Sequence, residues 1–216
     1  MNYLKVFFKN ICGYVMDTVF SPTKDIFEET TFNEIPKAIN EHPFIFSIFY
    51  YKNAKIKKMI KLIKYKGNKQ VTKLASKILY DYLLEDISEK IEMSNFTRPI
   101  IIPIPATRHR LKEFGFNQCR RIVQEIEKID ENNFLDFSYK ALIKIKDNES
   151  LAHTKNRIER LKNIKNSFSV KNTDAIYNRN IILIDDVWTT GATIEEASKE
   201  LLKAGARKVM AYTIAH

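Results

Sequence analysis

Apolar and polar positions along the chain alternate between two periods. On residues 2–20, Leu4, Phe8, Ile11, Cys12, Val15 and Val19 fall on one side of a predicted helix. Phe44, Phe46, Ile48 and Tyr50 then alternate, the two-residue period of a strand. Ile56, Met59, Ile60 and Ile63 recur at i, i+3, i+4 and i+7, which predicts a helix over 53–65, and another is expected over 69–86. The polar run 86–98 reads as a loop or linker. Ile100-Ile101-Ile102 suits a buried strand, 117–128 a helix and 141–145 a strand. Residues 146–156 are polar and expected to be mobile, with helical character over 157–164. Ile181–Ile184 predicts a buried strand, 193–204 a helix stopped at Gly205, and Val209–Ile214 the last strand. Strands alternating with helices predict an α/β fold, a mainly parallel sheet covered on both faces.

Composition bounds this picture. A chain of 216 residues can bury one good core with a small appendage. The longest apolar run, Phe44–Tyr51, is too short to cross a membrane. Lys5, Lys9 and Asp17 interrupt the N-terminal apolar stretch, so it lacks a signal-peptide core. Cys12 and Cys119 are the only cysteines, too few for a disulfide framework or a cysteine-rich zinc site. A cytoplasmic location is therefore expected.

The net charge is +10 and its distribution is uneven. Ten lysines and no acid lie between Lys52 and Lys77. On a regular helix Lys57, Lys61 and Lys64 share a face, with Lys66 and Tyr65 beside them. Cations along a backbone next to stacking aromatics are what a single nucleic-acid strand needs. The same run also suits a solvated helix face in a lysine-rich composition, since 27 of the 36 basic residues are lysine.

The densest chemistry lies at Ile181-Ile-Leu-Ile-Asp-Asp-Val-Trp-Thr-Thr-Gly-Ala-Thr193. A buried strand leads to paired acids, a Thr/Gly turn and a helix start. Asp185 and Asp186 can accept hydrogen bonds from vicinal sugar hydroxyls. Free N–H groups at Thr189, Thr190, Gly191, Ala192 and Thr193 can cradle a phosphate. Gly191 lets the backbone approach its ligand. Together these features imply a ribose-5-phosphate site.

This stretch resembles the phosphoribosyl pyrophosphate (PRPP) motif of type I phosphoribosyltransferases. Three other segments narrow the resemblance: Leu62-Ile-Lys-Tyr-Lys-Gly67, Ile102–Gln118 with its Gly115-Phe-Asn-Gln118 ending, and His153–Phe168. In this order, from about residue 44 to the C-terminus, they are similar to the ComF family of DNA-uptake proteins. The resemblance implies a phosphoribosyltransferase-like domain over 44–216. Residues 1–43 would then be a metal-free counterpart of the family's zinc finger, since only Cys12 is present there.

It further implies that Ala106, Thr107 and Arg108 face a pyrophosphate. Arg157 and Arg160, on a closing loop, would stabilise its departure, with Asp185 and Asp186 as the other catalytic residues. Mg²⁺ is expected with PRPP, and no zinc. The implied function is PRPP and single-stranded DNA binding in natural transformation. The alternatives are an active transferase on a nucleobase or nucleotide-derived acceptor, and a PRPP-sensing adaptor for a helicase-like ATPase. Phe114, Trp188 and His153 depart from the common patterns.

Overall fold

The run Asn180–Val187 is apolar on both of its alternating faces until the acids, as a strand covered on both sides must be. It is the middle of a five-stranded, all-parallel sheet. The computed structural model describes Phe32 and residues 34–94, 96–146 and 164–216. The unit that carries the sheet spans Pro36–His216. The expected helix over 2–20, the expected mobile segment from 147 and the helical stretch 157–163 lie outside the described residues.

In chain order the unit runs β1 (Ile45–Phe49), α1 (Ala54–Lys61), a π-helical turn (Leu62–Lys66), α2 (Lys69–Ser94) and β2 (Ile100–Pro103). It continues through α3 (Arg108–Phe114), α4 (Gln118–Ile129), β3 (Asp136–Phe137), β4 (Leu142–Lys144) and β5 (Phe168–Val170). β6 (Asn180–Val187), α5 (Ala192–Lys203) and β7 (Lys208–Ala215) complete it. The sheet order is β1-β7-β6-β2-β3, and β4 pairs antiparallel with β5 in a separate two-stranded sheet. Parallel neighbours need crossover connections, which the helices supply.

Strand parity sorts the core into two layers. Ile181, Leu183, Ile100, Ile102, Val209 and Ala211 point to the face covered by Ile194, Ala197 and Leu201 of α5. The other face meets α2 and α4, which are joined where Ser76 Oγ donates to the Ile122 carbonyl at 3.2 Å. From β6 the chain passes through α5 to β7 on one side. From β2 it passes through α4 to β3 on the other. The gap between the C-terminal ends of β2 and β6 is thus the point where the connections diverge, and ligands of open α/β sheets bind there.

The sheet edges are short or covered. Outside β1, Ser47 N–H donates to Asn40 Oδ1 at 2.7 Å, Asn40 Nδ2 donates to the Ser47 carbonyl at 3.2 Å, and Lys37 forms an antiparallel bridge to Phe49. At the far edge β3 has two residues, and its Asp136 is ion-paired with Arg98 and Arg179.

One expectation is corrected. Residues 86–94 are not linker but the last turns of α2. The polar composition misleads because tertiary contacts hold this part. Ile87 is 4% exposed, Asp86 accepts a hydrogen bond from the Tyr212 hydroxyl of β7, and Lys90 pairs with Asp86 one turn on. β3 and β5 were absent from the sequence reading because two or three residues carry no readable period.

Burial of Ile87 gives a direct test. Ile87→Ala should cost about 2–4 kcal/mol in urea denaturation, whereas Ile39→Ala, at a position 71% exposed, should stay within about 0.5 kcal/mol. Equal small effects would return this segment to the surface.

Candidate functional site

Side chains on a strand alternate faces, so adjacent acids at the end of β6 point to opposite sides of the sheet. Asp185 lies on the α5 side and Asp186 on the side of α2 and α4. Each therefore needs its own partners. Asp186 is 3% exposed, and its Oδ2 accepts from Gln118 Nε2 at 3.3 Å and lies 3.4 Å from Lys64 Nζ. Asp185 Oδ1 accepts from the Cys119 thiol at 3.2 Å and from the Asp186 N–H at 2.9 Å. No protein group among the described residues is bonded to the second oxygen of either acid.

Local chemistry places these partners. Asn117 caps α4, its Oδ1 accepting from the N–H groups of Cys119 and Arg120. Its Nδ2 donates to the Ile104 carbonyl at 2.9 Å, which ties the helix start to the end of β2. Gln118 and Cys119, the first residues of α4, are thereby held over the acids. Neither was singled out in the sequence reading, although Gln118 closes one of the quoted segments.

Lys64 arrives by another route. A regular helix would leave it beside Lys57 and Lys61 on the exposed face. The chain instead widens into a π-helical turn over Leu62–Lys66, with the Gly67 N–H bonded to the Leu62 carbonyl. More residues per turn delay the angular phase, which carries Lys64 from the lysine face towards the buried side. Lys57, Lys61 and Lys66 remain exposed, so the expected grouping of Lys64 with Lys57 and Lys61 is corrected.

Gly67 ends the turn with φ +57, and a Cβ there would lie 2.9 Å from the Phe116 ring. Arg121 stacks on that ring at 3.7 Å and donates to the Gly67 carbonyl at 3.3 Å. Two of the quoted segments, 62–67 and 115–118, thus pack on each other beside the acid pair at the end of β6.

The turn after β6 enters α5 through Gly191. Gly191 has φ +79 at the N-terminus of α5, and no side chain among the described residues caps the helix. Its first N–H groups are left without intrahelical partners. A Cβ at Gly191 would meet Glu195 Oε1 at 2.9 Å and Trp188 Nε1 at 3.1 Å. A hollow of about 30 Å³ lies over residues 187–194. It adjoins a cleft of about 700 Å³.

The larger cleft gathers most of the predicted residues. Asp185, Asp186, Thr189, Thr190, Ala192, Thr193, Ala106, Thr107, Lys64 and Tyr65 line it. Arg108 is exposed and is not among the lining residues, because it begins α3 behind the Thr107 cap. Arg110 lines the cleft, as do His109, Phe114 and Lys144. Arg157 and Arg160 lie outside the described residues.

The acid pair sets the electrostatics. Burial, with Asp186 alongside, pushes the Asp185 carboxyl up to about 6, against the pull of Lys64 and the hydrogen bond from Cys119. Burial, then Asp185 and Asp186, raise the Cys119 thiol well above its ordinary value, so it stays protonated as a donor. Burial pulls the Lys64 ammonium down, but Asp186 and Asp185 outweigh this and raise it. It stays charged.

Sequence comparison supports the family resemblance. The chain is similar to competence proteins: it is 34% identical over 116 residues to competence protein ComFC of Bacillus subtilis, covering 53% of this chain and 43% of that one. It is 31% identical over 137 residues to ComFC of Streptococcus pneumoniae, covering 62% and 57%. It is 30% identical over 118 residues to competence protein F of Haemophilus influenzae, covering 53% and 49%. The matched stretch spans about half the length of these curated relatives. No protein-family model matches the chain. Among solved structures, a hypoxanthine phosphoribosyltransferase of Staphylococcus aureus aligns at TM-score 0.37 and 11% identity, over 68% of this chain and 63% of that one. One from Trypanosoma cruzi aligns at TM-score 0.37 and 9% identity, over 81% and 71%.

The raised Asp185 carboxyl makes a signed prediction. Its folded value lies above the ordinary 3.8, so the folded state holds this proton more tightly. Stability from this group is present at low pH and is lost as pH rises from about 4 through about 6. Asp185→Asn removes the loss. The variant should exceed the parent by up to about 3 kcal/mol at pH 7, with the difference vanishing below about pH 4 in urea denaturation. A less stable variant at neutral pH would contradict a destabilising buried carboxylate.

Proposed function

We propose that the cleft binds PRPP and that the protein serves DNA uptake in natural transformation, with single-stranded DNA as a second ligand. The observation that carries the ligand reading is the buried acid pair beside an uncapped helix N-terminus, at the divergence of β2 and β6. One oxygen of each acid is held by protein donors. The other can accept from the 2- and 3-hydroxyls of a ribose. The first N–H groups of α5, with the hydroxyls of Thr190 and Thr193, are suited to the 5-phosphate. Ala106 and Thr107, after β2, are placed for a pyrophosphate on the far side of the sugar. The role in DNA uptake rests on the relation to competence proteins.

The donor set also fits Mg²⁺ arriving with the ligand, since carboxylate oxygens suit a hard cation. Bound there, Mg²⁺ would spread the pyrophosphate charge. The protein's own part is to fix the ribose through Asp185 and Asp186, to hold these acids through Cys119, Gln118 and Lys64, and to anchor the phosphate.

A second reading, transfer of the phosphoribosyl group to an acceptor, is favoured by one feature. Tyr65 is 56% exposed at the cleft and packs edge-on against Phe114, ring centroids 5.6 Å apart. Aromatic faces at such a place suit a planar base. Pyrophosphate release in an acceptor screen, above PRPP hydrolysis alone, would select this reading.

For the leading reading, millimolar PRPP with Mg²⁺ should raise the thermal midpoint by mass action on the folded state. Asp185→Asn with Asp186→Asn should abolish the rise. No shift in the parent with PRPP or ribose 5-phosphate would refute the ligand.

Single-strand binding is tested apart. If Lys57, Lys61 and Lys66 contact phosphates, log affinity should fall against log salt with a slope of roughly −2, at about −0.7 per contact. Replacing all three by Gln should remove that slope. Unchanged binding would make the lysines a solvated face.

A further inference from the structure

Lys64 differs from the other lysines of its run in its surroundings. Its side chain is 24% exposed, its ammonium lies 3.4 Å from Asp186, and it lines the cleft. Lys57 and Lys61, on the preceding turns, are exposed. Placing a long cation inward takes a π-helical turn, closed by a glycine with positive φ whose Cβ position is crowded by Arg121 and Phe116. Irregular backbone of this kind recurs at functional sites.

An ion pair alone does not account for the arrangement. Gln118 already bonds the same Asp186 oxygen. A lysine ammonium has three donors, and Asp186 faces this one as an ion-pair partner at 3.4 Å. Arg110 lines the same cleft, close enough for its charge to act unfavourably on Lys64. Two cations held near each other in one cleft are stabilised by an anion between them.

We propose that Lys64 and Arg110 form the cation pair that receives the pyrophosphate group of the ligand, with Lys64 bridging that group to Asp186. This inference rests on the phosphoribosyl reading and deepens it. It assigns Lys64 to the small-molecule site rather than to a nucleic-acid strand. It also supplies a cation there from α1 and its π-helical turn, besides those that follow β2.

The test is calorimetric titration of the full chain, with Mg²⁺, against PRPP, ribose 5-phosphate and inorganic pyrophosphate. Lys64→Met should weaken PRPP and pyrophosphate by about 10- to 100-fold, the range for a charge-assisted hydrogen bond. Ribose 5-phosphate should weaken by a clearly smaller factor, that of the support Lys64 gives Asp186, since it lacks the group in question. Lys64→Arg should restore part of the loss.

Equal loss of PRPP and ribose 5-phosphate would overturn the proposal, leaving Lys64 a support for Asp186 only. Unchanged PRPP and pyrophosphate affinity would overturn it as well. If the parent binds pyrophosphate through Lys64 but neither ribose ligand, the cation pair stands and the phosphoribosyl reading falls. If the parent binds none of the three, both fall. Should Lys64→Met fail to fold because a buried acid is stranded, Asp186→Asn provides the background. Adding Lys64→Met to it must still weaken pyrophosphate for the proposal to survive.

Discussion

A carboxylate kept at 3% exposure, as Asp186 is, loses its water and must be repaid by protein donors. That requirement connects parts of the chain far apart in sequence. Gln118 has to start α4 over the end of β6, which fixes Asn117 as its cap and the loop from Ile104 as its tether. Lys64 has to turn inward, which fixes the π-helical turn, Gly67 and the Phe116–Arg121 stack behind it. Much of the architecture around the cleft thus supports one charged oxygen.

The neighbouring acid has a different environment. Asp185 meets a neutral thiol and a backbone amide, and makes no ion pair among the described residues. Two carboxylates on adjacent residues are thereby made unequal, one ion-paired with Lys64 and the other reached by that charge only at longer range. The raised carboxyl makes Asp185 costly to ionise in the folded protein. Such a cost is typical of a group placed for a ligand rather than for folding.

Much of this was legible in the sequence. β6, the turn at Gly191 and α5 follow from an apolar run, paired acids and a glycine, because each is a local signal. The parallel sheet followed from the alternation of periods. The end of α2 was not legible, since its helicity depends on Tyr212, more than a hundred residues away. The inward turn of Lys64 was hidden for a related reason: helical periodicity assumes a constant angle per residue, and a π-helical turn breaks that assumption without changing composition. Cys119 reads as a small core residue until Asp185 is placed beside it.

The covered edges of the sheet have a consequence for handling and for the cell. A strand with a row of free amides is a template on which another chain can add. Here Asn40 satisfies the outer amide and carbonyl of Ser47 as a neighbouring strand would, and at the opposite margin β3 is too short to offer more than a residue or two. The arginines around Asp136 add charge at that margin. Among the described residues, both margins of the five-stranded sheet therefore offer little free edge on which a second chain could start a fibril, so that loss of β1 or β3 is what would expose one.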